Sequence, residues 1–190
     1  MAEAARRHGW TEEDFFAWLD EGHGGEHRWE LLDGAPKMMV RPAVEHGIVV
    51  NKLTRRLGNR LAGTPCLPFG GDYCVRVAAD RLRVPDVLVD CGERVRGETV
   101  ARNPTVVFEV LSPSTRGVDS YMKLEEYKRV AAIQHIVIVE PLQPDIAVWS
   151  RDGDGWAYAR ITDPDAVLPL TALNVDLPLA EIYEDIPPAA

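Results

Sequence analysis

The stretch VPDVLVDCGERVRGETVARNPTVVFEVLSPSTRGVDSYMKLEEYKRV, Val84 to Val130, decides the fold of this chain. It holds two apolar runs, Val84 to Val89 and Thr105 to Leu111, each of a length that reads as a buried strand. Each is interrupted by one acid: Asp86 directly after Pro85, and Glu109 between Phe108 and Val110. An unpaired buried charge costs several kcal/mol or more, so both carboxylates need a reason to be there. Two such groups ~5 Å apart would repel by about 3 kcal/mol at an effective dielectric of ~20. A divalent cation removes both penalties, and hard oxygen ligands suit Mg²⁺ or Mn²⁺. The other reading sets each acid at a strand end, near solvent and paired with an arginine. Lys123, on the helix that follows, adds a third group and favours a site.

Outward from this stretch the periodicities are simple. Val106, Phe108 and Val110 point to one face of their strand, and Val107, Glu109 and Leu111 to the other. SPST at Ser112 to Thr115 reads as a turn, and Asp119 or Ser120 as the cap of a helix whose apolar stripe includes Tyr121, Leu124, Val130 and Ala131. His135 to Glu140 is a further strand closed by Pro141. Upstream, His46, Val50, Leu53, Leu57 and Leu61 recur at spacings of three and four, a helix that ends at Gly63. His46 sits in its first turn, on the core-facing stripe. Strand patterning resumes at Cys66, with Tyr73, Val75 and Val77 alternating, and Arg83 to Asp90 reads as the next strand. The order from Val44 onward is helix, three strands, helix, strand.

Both ends add to that core. Thr11 and Asp14 resemble a capping pair before a short helix carrying Phe15, Trp18 and Leu19. Arg28 to Leu32 and Ala35 to Val40 flank Asp33-Gly34, a hairpin signal; Glu30, between Trp29 and Leu31, would face solvent by alternation if it were only structural. Near the C-terminus, Ile146 to Ser150 and Trp156 to Ile161 flank the turn DGDG, and Leu177 to Glu184 is expected to be a short helix. The expectation is one mixed α/β domain spanning residues 1–190 with its core at about 43–140.

Composition narrows the function classes. No apolar run approaches the ~20 residues of a membrane span, and the N-terminus has no signal-peptide core, so a soluble cytoplasmic protein is expected. The three cysteines, Cys66, Cys74 and Cys91, are odd in number and lack a CxxC, which points to reduced thiols. The net charge of -9 weighs against a polyanionic partner. Arg55, Arg56 and Arg60 on one helix, and Arg76, Arg81, Arg83, Arg94, Arg96 and Arg102 around the strands, could still form a local basic rim.

The PD before a strand, then FEVLSPST, a helix with Lys123 and Tyr127, and an IVIVEP strand resemble the Uma family of restriction-endonuclease-like proteins, a branch of the PD-(D/E)XK nuclease superfamily. RWELLDGAP, EHG and the closing PLAEIYED extend the resemblance over nearly the whole chain. It implies an αβββαβ core and Mg²⁺- or Mn²⁺-dependent hydrolysis of DNA. Asp86 and Glu109 take the positions of the two acids; with the backbone carbonyl of Val110 they would hold the metal. Leu111 stands where the superfamily's lysine is expected, and Lys123 matches the position of a migrated lysine. Glu30 and His46 become supporting groups near the cleft. Double-strand cleavage with one site per chain implies a homodimer. The alternative is a nuclease-fold module that binds or regulates without cleaving.

Overall fold

The computed structural model describes residues 9–71, 73–112 and 118–186, with the side chains of 118–120 left aside. The first helix, α1 (Glu12–Asp20), starts at the expected capping box: the Thr11 hydroxyl accepts from the Asp14 N–H at 3.2 Å, and the Asp14 carboxylate accepts from the Thr11 N–H at 2.9 Å. Strands β1 (Trp29–Leu32) and β2 (Ala35–Met38) follow as a hairpin. Its turn residues Asp33 and Gly34 both have positive φ, 50° and 65°, as a two-residue turn between twisted strands requires.

Helix α2 (Val44–Arg60) buries His46, Val49, Leu53 and Leu57 along one stripe. The chain then lays down β3 (Leu67–Gly70), β4 (Val75–Ala78), β5 (Arg81–Arg83), β6 (Val87–Asp90) and β7 (Pro104–Val110). Helix α3 (Val118–Lys128) crosses over to β8 (His135–Val139), which pairs parallel with β7. A β9 (Ile146–Asp152) and β10 (Gly155–Ile161) hairpin comes next, then β11 (Val167–Leu170), β12 (Val175–Pro178) and α4 (Leu179–Tyr183).

Two larger sheets result. A six-stranded mixed sheet runs β10-β9-β8-β7-β6-β3, and a four-stranded sheet runs β2-β1-β5-β4. One face of the larger sheet, with Val89, Phe108 and Val137, packs on Leu53 and Leu57 of α2 and on α4. The other, with Leu88, Val107 and Ile136, packs on Leu124 and Tyr127 of α3. Burial on both sides explains why β6 and β7 are apolar at nearly every residue. Among the described residues no helix is long and apolar enough to cross a membrane.

The mixed α/β class and the helix-strand order hold in the larger sheet, where α2, β3, β6, β7, α3 and β8 follow one another. Several details differ. The expected strand Arg83 to Asp90 is two strands, β5 and β6, in different sheets. The chain changes sheet at Val84-Pro85-Asp86, where Pro85 has no N–H to extend a ladder. Tyr73 to Val77 lies by β4 in the smaller sheet, and the partner of β6 is Leu67–Gly70. Most of the expected C-terminal helix is present as α4, but Leu177 belongs to β12.

The expectation of reduced cysteines is overturned for one pair. Cys66 and Cys91 form a disulfide across a sequence separation of 25. The antiparallel register pairs Leu67 with Asp90, which places the two flanking cysteines opposite each other. Cys74 is buried elsewhere. Tyr121, expected on the apolar stripe of α3, is exposed, and the buried face is Lys123, Leu124 and Tyr127. Helix α3 begins at Val118, so Asp119 and Ser120 lie inside its first turn rather than capping it. Residues 113–115 of the expected SPST turn lie outside the described residues.

Candidate active site

The site starts from the register of β6 and β7. Val87 pairs with Phe108, so the preceding residue of one strand and the following residue of the other, Asp86 and Glu109, come next along the ladder. Directly opposed residues of an antiparallel pair share a face. Asp86 closes the ladder with its side chain, its Oδ2 accepting the Val110 N–H at 2.8 Å. His46, from the first turn of α2, places Nε2 3.1 Å from the same oxygen.

Helix α3 lies over the Glu109 face and brings a cation and a hydroxyl. Lys123 Nζ donates to both Glu109 oxygens, at 3.2 and 3.1 Å, and the Tyr127 hydroxyl donates to Oε1 at 2.7 Å. Lys123 and Tyr127 are four apart, hence neighbours on one helix face. Glu30 enters from the other sheet. Its Oε1 lies 3.2 Å from Lys123 Nζ and accepts the Val84 N–H, while Oε2 accepts from Arg83 Nη1 at 2.9 Å. Arg83, 1% exposed, is held on its far side by Glu126, which also receives Arg81. The solvent-facing reading of Glu30 therefore fails: it is buried, because its face of β1 looks inward onto Arg83 and Lys123.

All five sequence-derived candidates, Glu30, His46, Asp86, Glu109 and Lys123, line one cavity of about 140 Å³, and Val110 borders it too. Burial pushes the Glu109 carboxyl up to about 7, Asp86 and Glu30 add to the rise, and Lys123 and Tyr127 oppose it. Burial alone would depress the Lys123 ammonium, but Glu109, Glu30 and Asp86 together hold it above its ordinary value. The Tyr127 phenol is raised by burial and by the neighbouring carboxylates, so it remains a donor.

The donor set suits a hard cation in part of its coordination sphere. Among the described residues no three His, Cys, Asp or Glu form a ready cage. Mg²⁺, however, is held by one or two carboxylates with water and substrate phosphate completing its shell, a demand that Asp86 and Glu109 can meet. The buried His46 Nδ1 has no hydrogen-bond partner.

Sequence reasoning missed Tyr127, Arg83 and Glu126 as members of this cluster. The signal for Tyr127 was its spacing from Lys123, and for Arg83 it was charge between Leu82 and Val84; Glu126, beside Glu125 on the helix, carried no such signal. The expected basic rim is largely neutralised. Arg56 and Arg60 pair with Glu181 and Glu184, Arg76 with Glu12, Arg81 with Asp33 and Glu126, and Arg102 with Glu98.

Comparison with known proteins shows the family and the fold. Residues 12–180 match the profile of a family described as "Uma2: Putative restriction endonuclease". The "Uncharacterized protein slr1290" of Synechocystis sp. is 26% identical over 177 residues, covering 92% of this chain and 91% of that protein. A crystal structure from Anabaena variabilis, described as a "putative nuclease belonging to DUF820", superposes with a TM-score of 0.67 at 17% identity, covering 87% of this chain and 96% of that one. That likeness is one of fold.

Proposed function

We propose, from the premise that the chain belongs to the Uma2 family, that it is a Mg²⁺- or Mn²⁺-dependent endodeoxyribonuclease working as a single catalytic domain. The observation that carries this reading is the convergence of Asp86, Glu109 and Lys123 on one cavity from two adjacent strands and the helix beside them. Asp86 and Glu109 would hold the cation, and Val110 would offer its carbonyl, which lies on the same side of its strand as the N–H bound to Asp86. When bound, such an ion polarises a phosphoryl oxygen and lowers the pKa of a coordinated water.

The chain's own groups do the rest. The Lys123 ammonium, fixed by Glu30 and Glu109, offers positive charge where negative charge develops on the phosphate. Tyr127 orients the Glu109 carboxylate and His46 that of Asp86, so each is set before substrate arrives. The cavity also argues about substrate size. Sites that enclose a small molecule run to roughly 300–1,000 Å³, whereas one of about 140 Å³ admits a phosphate group and leaves the attached sugars and bases outside. That favours a polymer backbone over a small phosphodiester. Duplex cleavage would take two copies of the chain, and we propose a homodimer and a cytoplasmic setting.

A specific observation favours the non-cleaving alternative: the oxygens of Glu109 are already engaged by Lys123 and Tyr127. Supercoiled plasmid incubated with Mg²⁺ or Mn²⁺ separates the readings. Wild type should nick it, while Glu109→Ala and Lys123→Ala should not. Variants that nick as fast as wild type would remove these residues from the chemistry.

A further inference from the structure

The strands that end each sheet are not alike. An edge strand presents unpaired N–H and C=O groups, and proteins ordinarily blunt such an edge with proline, a bulge or charge. The smaller sheet ends in β2, which carries Pro36, and in β4, whose register with β5 shifts between Arg76 and Ala78. The larger sheet ends on one side in β3, which carries Pro68 and lies against α2. Its other end is β10, GWAYARI, with no proline, no lysine and an unbroken register against β9. This strand is exposed from Ala157 to Arg160, Tyr158 by 57%.

Alternate residues of β10 turn their backbone to the open side. The β9-β10 hairpin closes on the pair Asp152 and Gly155 around a two-residue loop, with Gly153 at φ 57°. The pair that flanks such a loop exchanges both hydrogen bonds, and bonded and non-bonded pairs alternate from there. Gly155, Ala157, Ala159 and Ile161 therefore bond to β9, while the N–H and C=O groups of Trp156, Tyr158 and Arg160 point away from it. Among the described residues no strand lies beyond them.

The side chains make this edge complementary to itself. Two antiparallel copies meet about a two-fold axis, so one residue must face its own counterpart. With the axis at Ala157, Trp156 stands opposite Tyr158 of the second copy, and Arg160 opposite Asp154 in the turn. Ala159 then meets Gly155, and the axis carries only methyl groups. Aromatic pairs and opposite charges directly across a ladder are both favourable. The rings are already steadied within their own copy, Tyr158 by Trp149 at 5.0 Å and Trp156 by Arg151 at 4.4 Å. Two bonds from Asp145, at 2.8 and 2.6 Å, hold Arg160 at the edge and offset its charge.

We propose that β10 is the interface between two copies of this chain, joined antiparallel about Ala157 into one continuous sheet. It supplies the surface for the homodimer proposed above, resting on that reading for its purpose and on the strand edge for its geometry.

The test uses the full chain. Sedimentation equilibrium of wild type should show a reversible monomer–dimer equilibrium. Tyr158→Pro removes an outward N–H that β9 does not use, so circular dichroism should be unchanged while the dissociation constant rises at least about tenfold. Ala157→Cys, treated with copper phenanthroline, should run as a disulfide-linked dimer on a non-reducing gel, because opposed non-bonded residues stand about 4.5 Å apart at Cα. Ala159→Cys should not, since its counterpart is displaced by four residues, roughly 13 Å. A wild type that stays monomeric at every concentration overturns the interface, as does a dimer that is neither weakened by Tyr158→Pro nor linked through position 157. Plasmid nicking by such a protein would leave the nuclease reading standing. A dimer linked through position 157 that never nicks would keep the interface and remove the nuclease.

Discussion

The two faces of β7 are built on opposite terms. Toward α2, Val106, Phe108 and Val110 belong to the larger apolar cluster, and Phe108 is fully buried with Leu53, Val87 and Val137 in it. Toward α3, Val107 is as dry, yet two residues on the same face carries Glu109, with Lys123 and Tyr127 above it. The first face gains free energy with every side chain it covers. The second gives some back to keep a carboxylate and an ammonium out of water. The contrast teaches that one strand can anchor the fold through one set of alternate residues and hold buried charge through the other.

If the division is real, changes on the two faces should separate stability from activity. The largest effect falls on the polar face. Asp86→Asn should lower Mg²⁺-dependent cleavage by more than about 10³-fold, the loss of ~4 kcal/mol of transition-state stabilisation, while its thermal midpoint stays near or above that of wild type. A matching loss of midpoint would show that the carboxylate is structural. On the apolar face, Phe108→Ala should lose about 3–5 kcal/mol in urea unfolding, with the fraction that remains folded still cleaving. An equal collapse of activity in that folded fraction would mean that the two faces are not independent.

Smaller changes sharpen the comparison. Tyr127→Phe keeps the ring that packs under α3 and removes only the hydroxyl on Glu109, a change of about 1 kcal/mol in stability. Its effect should appear mainly in Mg²⁺ affinity, read by calorimetry. The smallest effect concerns His135, on β8 away from the cavity. Its Nε2 accepts the Ala172 N–H at 3.2 Å, so the ring is neutral, with Nδ1 beside the Ser150 hydroxyl. Burial lowers its pKa below the ordinary 6.5. Because the folded value is depressed, this contribution to stability is full above about pH 6.5 and is lost as pH falls below it. His135→Gln should flatten that part of the stability profile, and an unchanged slope would assign the acid sensitivity to another group.

Much of this was legible in the sequence for a definite reason. Asp86 and Glu109 stood out because apolar runs make an acid conspicuous, and α2 and the two tight hairpins declared themselves through period and turn residues. What stayed hidden depends on partners distant in sequence. The sheet change at Pro85 leaves no periodic trace, since Val84 before it and Val87 to Val89 after it read as one apolar run. The Cys66–Cys91 pairing follows from the register of β3 on β6, which no local pattern specifies. Glu30 looked solvent-facing because alternation gives a face but not what covers it; Arg83 and Lys123 do. The arginine rim failed the same way, because its carboxylate partners lie far along the chain.

The interleaving of the two sheets has a temporal side. Leu31 pairs with Leu82 far along the chain, and Glu30 reaches Arg83 and Lys123 from the same hairpin, so the smaller sheet closes across a long loop. Long-range closure of this kind is slow relative to forming a local hairpin. A chain emerging from the ribosome therefore carries no finished constellation until residue 123 has been made and the early hairpin has docked.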